Sequence, residues 1–147
     1  MQREPVVATP MMTLDQAGQK MAVVDCGFLP VVDEAGKVIG VLTDRDVCLA
    51  LTGRNRRPIE VEVRQVMTGS VAYSRSEDEL SAALALMAER KVRRLPVLDS
   101  ADHLVGILSV DDVLLEARHD GEAGHPSYEE VASTLQTICR HAILAVR

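Results

Sequence analysis

The sequence predicts an α/β (α+β) fold made of two copies of one strand–helix–strand–strand–helix (βαββα) unit. Three observations lead there. The stretch Gly40-Val41-Leu42-Thr43-Asp44-Arg45-Asp46-Val47 returns sixty-six residues later as Gly106-Ile107-Leu108-Ser109-Val110-Asp111-Asp112-Val113. The same offset carries Leu29-Pro30-Val31-Val32-Asp33 onto Leu95-Pro96-Val97-Leu98-Asp99, and Leu14, Ala17, Met21 and Ala22 onto Leu80, Ala83, Met87 and Ala88. No gap is needed from Val6–Val47 to Ala72–Val113. The chain is a tandem duplication, and a repeat of this kind decides a fold before any local signal does.

The elements follow in order. Val6–Thr9 reads as a short strand stopped by Pro10. Thr13 and Gln16 have the spacing of a capping box, in which side chains satisfy the free amides of a helix start. Leu14, Ala17, Met21 and Ala22 then recur at helical spacing. Phe28–Val32 and Lys37–Thr43 form a hairpin across the turn Asp33-Glu34-Ala35-Gly36. Asp44–Thr52 is helical, with Gly53 as its C-terminal cap. Arg54–Pro58 is a polar linker, and Ile59-Glu60-Val61-Glu62-Val63 alternates like a half-buried extended segment. The second copy supplies a strand at Val71–Ser74, a helix from about Glu77 to Arg90, a hairpin of Leu95–Leu98 with Leu104–Ser109, and a helix from Val110 to about His119. After the loop Asp120–Pro126, Ser127-Tyr128-Glu129-Glu130 opens an amphipathic helix whose stripe is Val131, Leu135, Ile138, Ala142 and Ala145.

One copy holds too little apolar surface to fold alone. The expectation is therefore one intertwined domain about a pseudo-two-fold axis. It divides into a first copy with its linker (residues 1–58), a second copy (59–119), and a loop with a C-terminal helix (120–147). That last helix docks on the repeat pair or on a second subunit.

Bulk properties exclude several function classes. The chain has 147 residues, 47% hydrophobic and 26% charged, as in a globular protein. With 2% aromatics, any ring-shaped ligand meets mostly aliphatic walls. A net charge of −6 argues against nucleic acid as a partner. Arg54, Arg56 and Arg57, and the run Arg90, Lys91, Arg93, Arg94, read first as solvated charge. No apolar run reaches the roughly 18–20 residues of a membrane helix, and no signal peptide is evident. Cys26, Cys48 and Cys139 show no paired spacing, which fits a cytoplasmic setting. His119, His125, His141 and Cys139 match no standard zinc site, so no metal is expected. The sequence contains no nucleophile elbow, phosphate-binding P-loop or metalloprotease motif, so the chain is not read as an enzyme.

The doubled Leu-Pro-Val-[Val/Leu]-Asp strand, the doubled Gly-aliphatic-Leu-[Thr/Ser]-x-x-Asp turn into a helix, and Val66-Met67-Thr68 resemble the CBS domain, named after cystathionine β-synthase. The resemblance covers about Val6 to His119. It implies two βαββα units packed through their sheets, a tandem pair or Bateman module, usually as a disc-like homodimer. It also implies adenine nucleotides (AMP, ADP or ATP) bound in clefts between the repeats, with S-adenosylmethionine a further candidate and no cofactor required. Regulation of an unidentified effector protein is the role it suggests.

The motif suits that chemistry. Gly40 and Gly106 allow close backbone approach. The hydroxyl of Thr43 or Ser109 stands at a helix start that favours an anion. Asp46 or Asp112, an acceptor only, suits paired ribose hydroxyls. Capping of the helix explains either copy taken alone. The copies differ: Asp44-Arg45 places a guanidinium near a phosphate in the first, whereas Val110-Asp111 makes the second acidic. By resemblance, Arg93 and Arg94 reach ligand phosphates, and if the clefts share elements of both repeats they serve either one. The cleft of Thr43, Arg45 and Asp46 is therefore expected to be the better site. Its base contacts are expected from Val7, Thr9 and Pro30, with Tyr73 and Pro96 as their counterparts. The competing reading is a structural dimerisation module with vestigial clefts, supported by the irregular second site.

Overall fold

The computed structural model describes residues 1–3, 5–52, 56–119 and 125–140. Its elements are β1 (Gln2–Arg3), α1 (Leu14–Val23), β2 (Phe28–Val32), β3 (Val38–Thr43), α2 (Asp44–Thr52), β4 (Ser74–Arg75), α3 (Leu80–Arg90), β5 (Arg94–Leu98), β6 (Leu104–Ser109), α4 (Val110–Glu116) and α5 (Tyr128–Cys139). One sheet runs β1-β6-β5-β4, and β2 with β3 forms the other. The second sheet has the same plan with its outer strands reduced to single bridges. Ala8 pairs parallel with Val31 and Thr68 antiparallel with Val41. Their counterparts are Ser74 with Val97 in β4–β5, and Gln2 with Ile107 in β1–β6.

That pairing crosses the copies. The segment leading into the second copy lies on the first hairpin, and the segment leading into the first lies on the second hairpin. Gly40 makes the first crossing feasible. A Cβ there would stand 2.8 Å from Met67 Sδ and 3.2 Å from the Thr68 carbonyl oxygen, closer than side-chain carbons sit. Lys37 bridges His103, its own equivalent in the other copy, so the two hairpin turns meet where the pseudo-two-fold relation requires.

The buried residues form two clusters. One contains Ala17, Met21, Leu29, Val31 and Leu42; the other contains their equivalents Ala83, Met87, Leu95, Val97 and Leu108. The third wall differs. Val61 and Val63, from the segment after the linker, close the first cluster, while Val131 and Ile138 of α5 close the second. The C-terminal helix thus does for the second copy what those two valines do for the first. Its stripe docks within this chain, on α3 and α4. Ala142 and Ala145 of that stripe lie outside the described residues, as do Gly53 and Arg54.

Several boundaries differ from expectation, each for a local reason. Val6–Thr9 and Val71–Ser74 are largely irregular, because only Ala8 in the first and Ser74 in the second find a strand partner. Helix α3 starts at Leu80, three residues later than expected. Asp78 accepts from Ser74 Oγ and the Arg75 amide, which holds a turn there, and Glu79 is extended. Helix α4 stops at Glu116, since Ala117 is extended and fully buried. Ile59–Val63 is bounded by short 3-10 turns at Pro58–Glu60 and Val63–Gln65, though the alternation holds: Val61 and Val63 are buried and Ile59 is exposed. Capping boxes form at Thr13/Gln16 and Ser127/Glu130.

Candidate functional site

A cleft of about 920 Å³ opens between the two copies, near the upper end of the usual range for small-molecule sites. Five segments build it. The first hairpin gives Gly27, Phe28 and Val41. The start of α2 gives Thr43, Asp44, Arg45 and Asp46. The crossing lead segment gives Thr68 and Ser70–Tyr73. The end of α3 with β5 gives Leu86, Arg90–Arg94 and Pro96, and the last turn of α5 gives Ile138 and Cys139.

The strand–helix junction is tightly organised. Thr43 donates from its amide (2.9 Å) and its hydroxyl (2.7 Å) to Asp46 Oδ2, and the Asp46 amide donates back to Thr43 Oγ1 at 3.2 Å. Both bonds fall on one carboxylate oxygen. Among the described residues the other accepts nothing, so it keeps its lone pairs for a ligand hydroxyl. Asp44 turns back over Gly27: its amide donates to the Gly27 carbonyl, and a Cβ at Gly27 would meet its carboxylate at 2.3 Å. Any larger residue at Gly27 would displace the Asp44 carboxylate.

Charge is concentrated on one side. Arg45, Arg90, Lys91, Arg93 and Arg94 line the cleft against only Asp44 and Asp46, within a chain of net charge −6. Val71, Ala72, Tyr73 and Pro96 also line the cleft. Ser70–Tyr73 make no backbone–backbone hydrogen bond among the described residues. Their amides and carbonyls therefore remain available to a polar ring edge beside an apolar surface.

The second junction repeats the backbone and not the chemistry. Ser109 donates from its amide and hydroxyl to Asp112 Oδ2 at 2.8 and 2.6 Å. Here the other oxygen is engaged, 3.1 Å from the Met1 ammonium. Burial works to raise the Asp112 carboxyl. The Ser109 bonds and the ammonium outweigh it and hold the group below the ordinary aspartate value. At the positions equivalent to Arg90, Lys91, Arg93 and Arg94 stand Val24, Asp25, Gly27 and Phe28, and Asp111 replaces Arg45. None of the positions equivalent to the five cations of the first cleft carries a cation.

Thr43, Arg45, Asp46, Arg93 and Arg94 thus share one cleft, and Ser109 and Asp112 lie at the other junction. Of the residues expected near a base, Tyr73 and Pro96 line the cleft together with Thr43, whereas Val7, Thr9 and Pro30 do not line it. The crossing of lead segments is the cause, since it lays the second copy's lead against the first hairpin. The Val7 carbonyl accepts from Lys20 Nζ at 2.9 Å, Pro30 is buried in β2, and Thr9 borders a separate hollow of about 650 Å³ beside α1. Sequence reasoning had set Arg90 and Lys91 aside as solvated charge, although they adjoin Arg93 in the same run. Nothing local signalled that α5 ends in the cleft. Among the described residues no His, Cys, Asp or Glu cluster could hold a metal ion.

Comparison with known proteins places this geometry in a family context. The CBS domain family model matches residues 1–53 and 63–119. An uncharacterized protein of Methanopyrus kandleri is 30% identical over 112 residues, 76% of this chain and 57% of that protein, so the chain spans little more than half its length. The CBS domain-containing protein YhcV of Bacillus subtilis is 32% identical over 124 residues, covering 84% of this chain and 86% of YhcV. Among solved structures, the cytosolic domain of the Mg2+ channel MgtE in complex with ATP superposes with a TM-score of 0.65 at 32% identity, over 76% of this chain and 44% of that one.

Proposed function

The chain belongs to the CBS domain family, and from that premise we propose a regulatory module whose Thr43–Asp46 cleft binds an adenine nucleotide, preferentially ATP. The observation that carries this reading is the union, in one cleft, of the half-free Asp46 carboxylate with five cations. The carboxylate fits ribose hydroxyls and would repel phosphate, while the cations want the charge of a polyphosphate. AMP brings less charge than five cations can neutralise. S-adenosylmethionine brings a sulfonium and no phosphate, so the cations disfavour it. The open backbone of Ser70–Tyr73 beside Pro96 suits the base. The MgtE domain, captured with ATP, adds support from a related chain.

Readout in this proposal passes through a homodimer to an effector protein. Helix α2 buries no residue fully and exposes Leu49 at 59%; its equivalent Leu115 on α4 is 80% exposed. Exposed leucines at matched positions give a second copy an apolar surface to cover. Among the described residues no helix is long and apolar enough to cross a membrane, and three free cysteines fit a reducing cytoplasm.

A thermal-shift titration with AMP, ADP, ATP, GTP and S-adenosylmethionine tests the reading. A ligand that binds only the native state, at about 100 times its Kd, stabilises by about 2.7 kcal/mol. ATP is expected to give the largest rise in Tm, and Asp46→Ala to abolish it. No rise with any of the five would make a dimerisation module with vestigial clefts the better account.

A further inference from the structure

Helix α5 lies outside the duplicated unit, yet its last turn forms part of the cleft wall. Two of the cleft's cations are engaged there. Lys91 Nζ donates to the Arg140 carbonyl at 3.1 Å, and an Arg93 guanidinium N–H donates to Cys139 Sγ at 3.6 Å. Arg140 is the C-cap of α5, so these are acceptors of a helix C-terminus. The last carbonyls of a helix lack intrahelical partners and carry the negative end of its dipole.

We propose that the last turn of α5 is an internal competitor for the ligand's phosphates, a proposal that rests on the nucleotide reading of the cleft. Two effects point the same way. A phosphate that takes up Lys91 and Arg93 removes the donors that hold the turn. It also sets negative charge beside carbonyls of the same sign. The nucleotide-bound state therefore favours a released last turn, and by linkage a docked turn weakens nucleotide binding by the same factor. The part of the helix free to yield is its final residues: the start is fixed by the Ser127/Glu130 capping box and fully buried Val131, Ile138 is buried in the last turn, and Cys139 and Arg140 beyond it are exposed. Nucleotide occupancy is thus converted into the state of a C-terminal element.

The test uses the full chain with ATP as the probe, reading amide hydrogen exchange across Tyr128–Arg140 and calorimetric affinity. Saturating ATP is expected to speed exchange in the last turn. Leu135→Ala, which trims the docked face away from the cleft, is expected to bind ATP about fivefold tighter, at the lower end of ordinary coupling strengths. Gln136→Gly weakens the same turn from an exposed position and spares the core, so it is expected to act in the same direction should Leu135→Ala fail to fold. ATP binding with α5 exchange unchanged or slowed, and no gain in affinity in the folded variants, overturns the competitor and leaves the nucleotide reading standing. Absence of ATP binding in wild type and variants alike overturns both.

Discussion

Among the described residues four have left-handed backbone, and they form two pairs under the repeat offset: Asp25 (φ 48°) with Lys91 (φ 53°), and Gly36 (φ 77°) with Asp102 (φ 65°). Asp25 and Lys91 follow the ends of α1 and α3, where a left-handed residue closes the helix and glycine is favoured. A side chain there carries a steric cost. Lys91 accepts that cost beside the cleft, where its ammonium is engaged. Asp25, its equivalent, does not line the first cleft and makes no side-chain hydrogen bond among the described residues. Asp25→Gly is therefore expected to stabilise the protein by about 1 kcal/mol, a rise of about 2–4 °C in Tm, with ATP affinity unchanged. Thermal melts with and without ATP check both halves; a fall in Tm would show that Asp25 has a role at its turn. Legibility at this scale was uneven. Thr43, Arg45 and Asp46 stood out because the doubled motif marks them. Lys91 did not, because the turn that presents it depends on backbone conformation and no side-chain pattern reveals it.

Elements with their own periodicity were readable, and elements defined by distant partners were not. Helix α2 runs Asp44–Thr52, as its flanking residues predict, and both hairpins lie within a residue or so of expectation. The lead segments misled because Val6–Thr9 and Val71–Ser74 each find a single strand partner, in their own copy, while the pairing that reaches the other copy falls outside them: Thr68 pairs with Val41, and Gln2 with Ile107. That same crossing sets Tyr73 in the cleft of Thr43, which Val7 and Pro30 do not line. The closing wall of each core also escaped the repeat logic, since Val61 and Val63 in one and Val131 and Ile138 in the other come from unlike elements. Helices α2 and α4 carry the element-scale prediction. Leu115→Glu sets a charge in the proposed dimer surface, where an unpaired charge is costly to bury. Light scattering is expected to show a dimer for wild type and a monomer for Leu115→Glu. A wild-type monomer at micromolar concentration, or a variant that stays dimeric, would remove this surface from the account.

For the whole molecule, duplication supplies a symmetric frame and later divergence makes it lopsided. Lys37 against His103 marks the axis, and equivalent residues fill both cores. Around one of the two equivalent junctions five cations gather, Arg45 from the first copy and Arg90, Lys91, Arg93 and Arg94 from the second, while the equivalent positions hold Asp111, Val24, Asp25, Gly27 and Phe28. Two clefts related by symmetry are therefore expected to behave as one polyphosphate site per chain. Isothermal titration of ATP into the full chain, beside Arg45→Ala and adenosine, tests that claim most directly. The account predicts one ATP per chain, and an ATP affinity about tenfold or more lower in Arg45→Ala, the loss of one charge-assisted contact of about 1.5–3 kcal/mol. Adenosine affinity is expected to stay unchanged. Two equivalent sites per chain, or equal losses for ATP and adenosine in Arg45→Ala, would contradict it.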